Sequence, residues 1–278
     1  MVENKKTLWM ALAGVGAIAA AALIIYSLGG ESGEGEEAID TEALKAAGID
    51  EVKREGDMID SKYFLKLLQF IGEKTRDSTK SKRDEITAAR RKHYEAKDWD
   101  AYREEVQKAA TMEDETAQRI LMETIGQLDI SEQEFSMTHR MLASNEQTAQ
   151  FVMAAQQGKL KEPAAPGLQK KPTLTKNKMM DALKHHMEAT MVQMMEMQKK
   201  QMNPQGDQMS MMVDMMVEQA KLADDMFLSH KVENDEFEDN LMHYMSHDPQ
   251  VQQSMRQYMM KMQMMQGGMG GGMPGMGQ

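Results

Sequence analysis

Seven histidines and no cysteine bound the side-chain chemistry open to this chain. His243 and His247 stand one helical turn apart, a spacing that can present two imidazoles to a metal, with Met242 and Met245 beside them. No third ligand follows at a fixed spacing and there is no HExxH, so the pair reads as surface histidines near a helix end. His185 and His186 are adjacent, project about 100° apart on a helix, and cannot chelate from one face. Glu233, Asp235 and Glu236 crowd the stretch between Val232 and Phe237 without the alternating oxygen ligands and central glycine of a calcium loop. A solvated acidic turn is the expectation there. The absence of thiols excludes disulfides, thiolate metal sites and cysteine nucleophiles together. No glycine-rich phosphate loop opens a helix, because Gly14 and Gly16 lie within an apolar run and the C-terminal glycines follow the last helical pattern. No catalytic residue, cofactor, metal site or small-molecule substrate is therefore expected, and the chain reads as a non-enzyme.

Methionine is the sharpest signal. There are 33, against 18 leucines, and 25 of them fall at or after Met179. Met180, Leu183, Met187, Met191 and Met194 recur at helical spacing, as do Met209, Met212, Met216, Ala220, Ala223 and Phe227, and then Val251, Met255, Met259, Met262 and Met265. Three readings stay open. Methionine can stand in for leucine as an unbranched core filler. It can form an adaptable apolar surface for partners, carried by Met187, Met191, Met194, Met212, Met216, Met255, Met259 and Met262. Clustered thioethers can also select Cu(I), with Met194, Met195 and Met197 as one dense group. In its methionine content this half resembles the methionine-rich domain of signal-recognition particles. The helix opened by Asp248 and Pro249 is similar to helices of co-chaperone client-binding domains. Both likenesses span one or two helices, and they imply a groove for hydrophobic segments.

A formal net charge of −11 argues against a nucleic-acid groove. The basic run of Lys74, Arg76, Lys80, Lys82, Arg83, Arg90, Arg91 and Lys92 can rest on anionic headgroups or an acidic partner. Glu73, Asp77, Asp84 and Glu85 interleave with it, which favours a solvated helix face.

From Thr7 to Leu28 the chain carries 22 residues without a charge, enough for a helix to cross about 30 Å of hydrocarbon. Trp9 and Tyr26 would sit about 26 Å apart along it, as interfacial anchors. A cleaved signal has a shorter apolar core of about 7–15 residues, so a retained span is expected. Lys5 and Lys6 precede it and no Lys or Arg follows until Lys45, which keeps the N-terminus in the matrix or cytoplasm. Ala13, Gly16, Ala17, Ala20 and Ala21 make a small-residue stripe on which a second membrane helix can pack. The translocated part holds no glycosylation sequon, which favours the mitochondrial inner membrane over the ER, with a bacterial inner membrane also open.

These features give an all-α organisation. A short flank (residues 1–6) leads to the transmembrane helix (7–28) and an acidic Gly/Glu linker (29–43). A helical module (44–157), a Pro-rich linker (158–176), a methionine-rich helical module (177–266) and a Gly/Met tail (267–278) follow. Ser131 with Glu134 forms a capping box, and Asp248 before Pro249 marks a strong helix start. After a break at Ser144 and Asn145, a helix is expected over 146–157. The two modules align at an offset of 102 residues, pairing Ile130 with Val232, Glu134 with Glu236, Phe135 with Phe237, Ser144 with Ser246 and Met153 with Met255. A duplicated helical module with no sheet is expected. The function expected is a single-pass, non-catalytic accessory subunit of a membrane complex, its partners being the bilayer and other subunits. A membrane-tethered chaperone and Cu(I) handling are the alternatives.

Overall fold

A computed structural model of the chain describes residues 39–56, 58–145, 147–160, 171–201 and 208–267. The structure is almost wholly helical. In chain order it holds α1 (Thr41–Ala46), β1 (Arg54–Glu55), β2 (Met58–Ile59), α2 (Ser61–Ala96), α3 (Trp99–Gln127), α4 (Glu132–Ser144) and α5 (Ala149–Gln156). A second set follows: α6 (Lys176–Gln201), α7 (Gln208–His230), α8 (Asn234–His247) and α9 (Pro249–Gly267). They fall into two compact units, which among the described residues comprise 39–160 and 171–267. No helix of the described residues is long and apolar enough to cross a membrane. Residues 7–28, with Trp9, Tyr26, Ala13, Gly16, Ala17, Ala20 and Ala21, lie outside the described residues.

The first unit is built on a long helical hairpin. Asp60 starts α2 by accepting the N–H groups of Lys62 and Tyr63 through one carboxylate oxygen, at 3.1 and 2.9 Å. Tyr63, Phe64, Leu67, Leu68 and Ile71 then place one apolar stripe in the core. Lys97 ends α2 in the left-handed conformation, and Asp98 caps α3 through the Ala101 amide. One departure from a purely helical expectation is the hairpin of β1 and β2, which pairs Arg54 with Ile59 and Glu55 with Met58. Gly56, at φ +65°, supplies the turn. Ser131 caps α4 through the Glu134 amide at 3.1 Å, as the capping box requires. The Glu134 side chain does not return to the cap. It takes Arg54 of β1 instead, at 2.7 Å, so a local motif is used to fasten the hairpin. Helix α5 starts at Ala149 rather than at position 146, because Asn145 accepts the Gln147 amide and Thr148 bonds back to Leu142.

Positions paired by the 102-residue offset can be compared between the two units. Asp129, before Ile130, and Lys231, before Val232, are both left-handed, at φ 50° and 51°. Ile130 and Val232 are both buried, and so are Phe135 and Phe237. At the start of the long helices the offset becomes 115 residues, because the α2–α3 hairpin is longer. Phe64 then answers to Met179, Leu67 to Ala182, Leu68 to Leu183 and Thr75 to Thr190, the first three pairs being buried in both units. Even a polar tether recurs. The Ile59 amide donates to Thr138 Oγ1 at 3.2 Å, and the Leu174 amide donates to Asn240 Oδ1 at 3.0 Å. Thr138 and Asn240 are themselves 102 residues apart.

Candidate functional sites: the methionine face and a histidine cluster

The helical register divides the expected methionine face. Met255 is 1% exposed and belongs to the second core with Met179, Met226, Leu183 and Phe237, so it is a packing residue and not a contact residue. Met187 is half-buried against that core, and Met191, Met212, Met216 and Met259 are half-buried. The side chains of Met194 and Met262 lie outside the described residues. The side chains turned outward are others: Val192 (53% exposed), Met195, Met242 and Met260 (53%). Val192, Met242 and Met260 each sit one or two positions from a buried residue: Thr190, Leu241 and Tyr258. A period-3.6 reading marks the stripe and cannot say which edge of it a neighbouring helix will cover. The first unit exposes Trp99, Met122, Met137, Met141 and Phe151. Trp99 stands at the hairpin tip, edge-on to Tyr94 and Tyr102 at 5.6 and 6.1 Å.

The acidic stretch after Val232 is the first turn of α8, with Asp235 and Glu236 near its positive N-terminal end. The expected solvated turn is thus helix. His243 and His247 stack at 4.8 Å, and His247 Nδ1 is bonded to the His243 carbonyl, so that nitrogen is committed to the helix end. In the basic run, Arg83 pairs across the hairpin with Glu113 at 3.7 Å, and Arg76 donates to the Gly158 carbonyl. On α3, burial and the neighbouring Glu113 push the Asp114 carboxyl up to about 6.

A cluster that spacing alone did not reveal lies where α6, α7 and α8 meet. His185 Nε2 donates to Asp225 Oδ2 at 2.7 Å. The His230 ring stands edge-on to His185 at 5.0 Å. His186 lies against the Phe237 ring at 5.2 Å. His186 Nδ1 and His230 Nε2 are shut from solvent and have no hydrogen-bond partner. Burial, reinforced by His185, lowers the His186 imidazole to about 4. The α6 histidines lie 39 or more positions from the residues of α7 and α8, so only tertiary packing assembles the cluster. Among the described residues no group of three or more His, Cys, Asp or Glu is placed to hold a metal ion.

The described residues thus define a mostly helical protein of two compact units. No family model, curated protein or solved structure matches the chain.

Proposed function

We propose that this protein is a single-pass, non-catalytic accessory subunit of a larger membrane complex, built from two copies of one helical module. The observation that carries the reading is the uncharged run of 22 residues from Thr7 to Leu28, joined to a helical body whose surface keeps large apolar side chains. The small-residue stripe from Ala13 to Ala21 would pack against a neighbouring membrane helix. The helical units would lie across the membrane from the N-terminus, with the mitochondrial inner membrane favoured, and would bridge partner subunits. Mild detergent extraction followed by a native gel tests this. Comigration with other membrane proteins is the expected result. A monodisperse monomer with nothing copurifying would count against the assembly role.

A membrane-tethered chaperone is the second reading, favoured by the exposure of Val192, Met195, Met242 and Met260 on the methionine-rich unit. It requires the full chain in detergent to bind a fluorescent apolar peptide, and requires Met195→Glu, Met242→Glu and Met260→Glu to weaken that binding. Substitution at the buried Met255 would not discriminate, since it disturbs the core.

A further inference from the structure

The second unit carries imidazoles where the first carries hydrocarbon. At sequence offsets of 115 and 102 residues, His185 answers to Phe70, His186 to Ile71 and His230 to Leu128. All three residues of the first unit are buried in its core. In the second unit the same positions join α6, α7 and α8, with one carboxylate, Asp225, within bonding distance. An apolar joint has been replaced by a titratable one.

We propose that this histidine joint makes the second unit sensitive to acid, so that it opens as pH falls below neutrality while the first unit stays closed. Every group facing the joint bears on the outcome. On α6, His185 and His186 are adjacent; α7 contributes Asp225 and His230, with the buried Asp224 next to Asp225 in the chain; α8 brings the uncharged Phe237 ring against His186. Helix α9 adds Tyr258, which bonds to Thr190 one turn further on. In the closed unit His185 donates to Asp225, and His186 and His230 each keep a buried nitrogen without a hydrogen-bond partner. One added proton can be held by the Asp225 carboxylate through His185. A second must place like charge beside His185, whose ring stands 5.0 Å from that of His230, or on His186, and the unpartnered nitrogens of His186 and His230 are shut from water. Separating α6 from α7 and α8 relieves that repulsion and hydrates the imidazoles. The same movement uncovers Met179, Met226 and Phe237, which share this core. This inference stands apart from the assembly role proposed above, since it rests on the joint alone.

Hydrogen exchange of the full chain in detergent, with rates corrected for the intrinsic pH dependence, reads the two units separately. Between pH 7.5 and 5, protection over 176–190 and 222–241 should fall at least tenfold, and protection over 61–72 and 120–142 should hold. Unchanged protection in the second unit, or an equal loss in both, would overturn the proposal on the wild-type chain alone. The triple variant H185F/H186I/H230L, which installs the first unit's residues, should keep its protection at pH 5. Should that variant fold and still lose protection on acidification, the histidines are not the cause.

Discussion

Asn240, buried in α8, holds the backbone of Leu174 just ahead of α6: its Oδ1 accepts the Leu174 amide at 3.0 Å. Its Nδ2 donates to the Glu236 carbonyl at 2.7 Å and to Thr173 Oγ1 at 2.9 Å. Tyr244 completes the clasp by donating to the Leu174 carbonyl. An extended segment that enters a core brings polar backbone with it, and each buried amide needs a partner. Asn240→Ala strands the Leu174 amide and should cost the second unit about 2 kcal/mol. Urea unfolding followed by exchange at the Leu174 amide measures this, and a change below about 0.5 kcal/mol would show that the tether is dispensable.

Gly72 of α2 faces the end of α5 with no room for a side chain. A β-carbon there would lie 2.4 Å from both the Gln156 carbonyl oxygen and the Gly158 nitrogen, and these are backbone atoms that cannot rotate aside. Gly158 itself adopts φ +61°. Gly72→Ala should therefore destabilise the first unit by roughly 3 kcal/mol, the upper end for overpacking, although alanine favours helices. Trp99 fluorescence in a Trp9→Phe background reports that unfolding.

The two units should respond to acid with opposite signs. His186 is held near 4 in the folded state against an ordinary 6.5, so the unfolded chain binds the proton more readily between those values. Its contribution is fully present above about pH 6.5 and is lost as pH falls toward 4, at up to about 1.4 kcal/mol per pH unit. Asp114 is raised to about 6 from 3.8, so the first unit is favoured at low pH and loses that contribution as pH rises through about 6. Asp114→Asn should raise first-unit stability at pH 7.5 by no more than about 1 kcal/mol, given partial solvent screening. Urea midpoints at pH 7.5 and 5 for each unit test both signs.

The apolar run at the N-terminus makes a prediction independent of the helical body. The full chain should stay in the pellet on alkaline carbonate extraction, and a chain lacking residues 1–28 should move to the supernatant. Mass spectrometry should find a mature N-terminus ahead of Thr7. A first residue beyond Ala22 would remove the membrane anchor and the assembly role with it.

Much of the helical plan can be read from local residues. Helix starts at Ser131 and Asp248 are set by side chains two or three positions from the amides they accept, and the structure places both caps there. The burial of Phe135 and Phe237 is equally legible, because each follows a helix start by a few positions on an apolar stripe. What escaped such a reading involves partners distant in the chain. Glu134 was claimed by Arg54, 80 positions away, and the short β hairpin came with that ion pair.

Periodicity and capping chemistry thus determined the mostly helical character and the helix starts at Ser131 and Asp248. These are properties of short windows, where propensity, caps and one apolar stripe agree. Tertiary structure alone decided which methionines are interior, because a stripe's edges are buried or bared by whichever helix crosses it: Met255 inside, Met260 outside. It also decided that His185, Asp225 and His230 meet, since that contact depends on how α7 folds back along α6 and on no spacing within either helix.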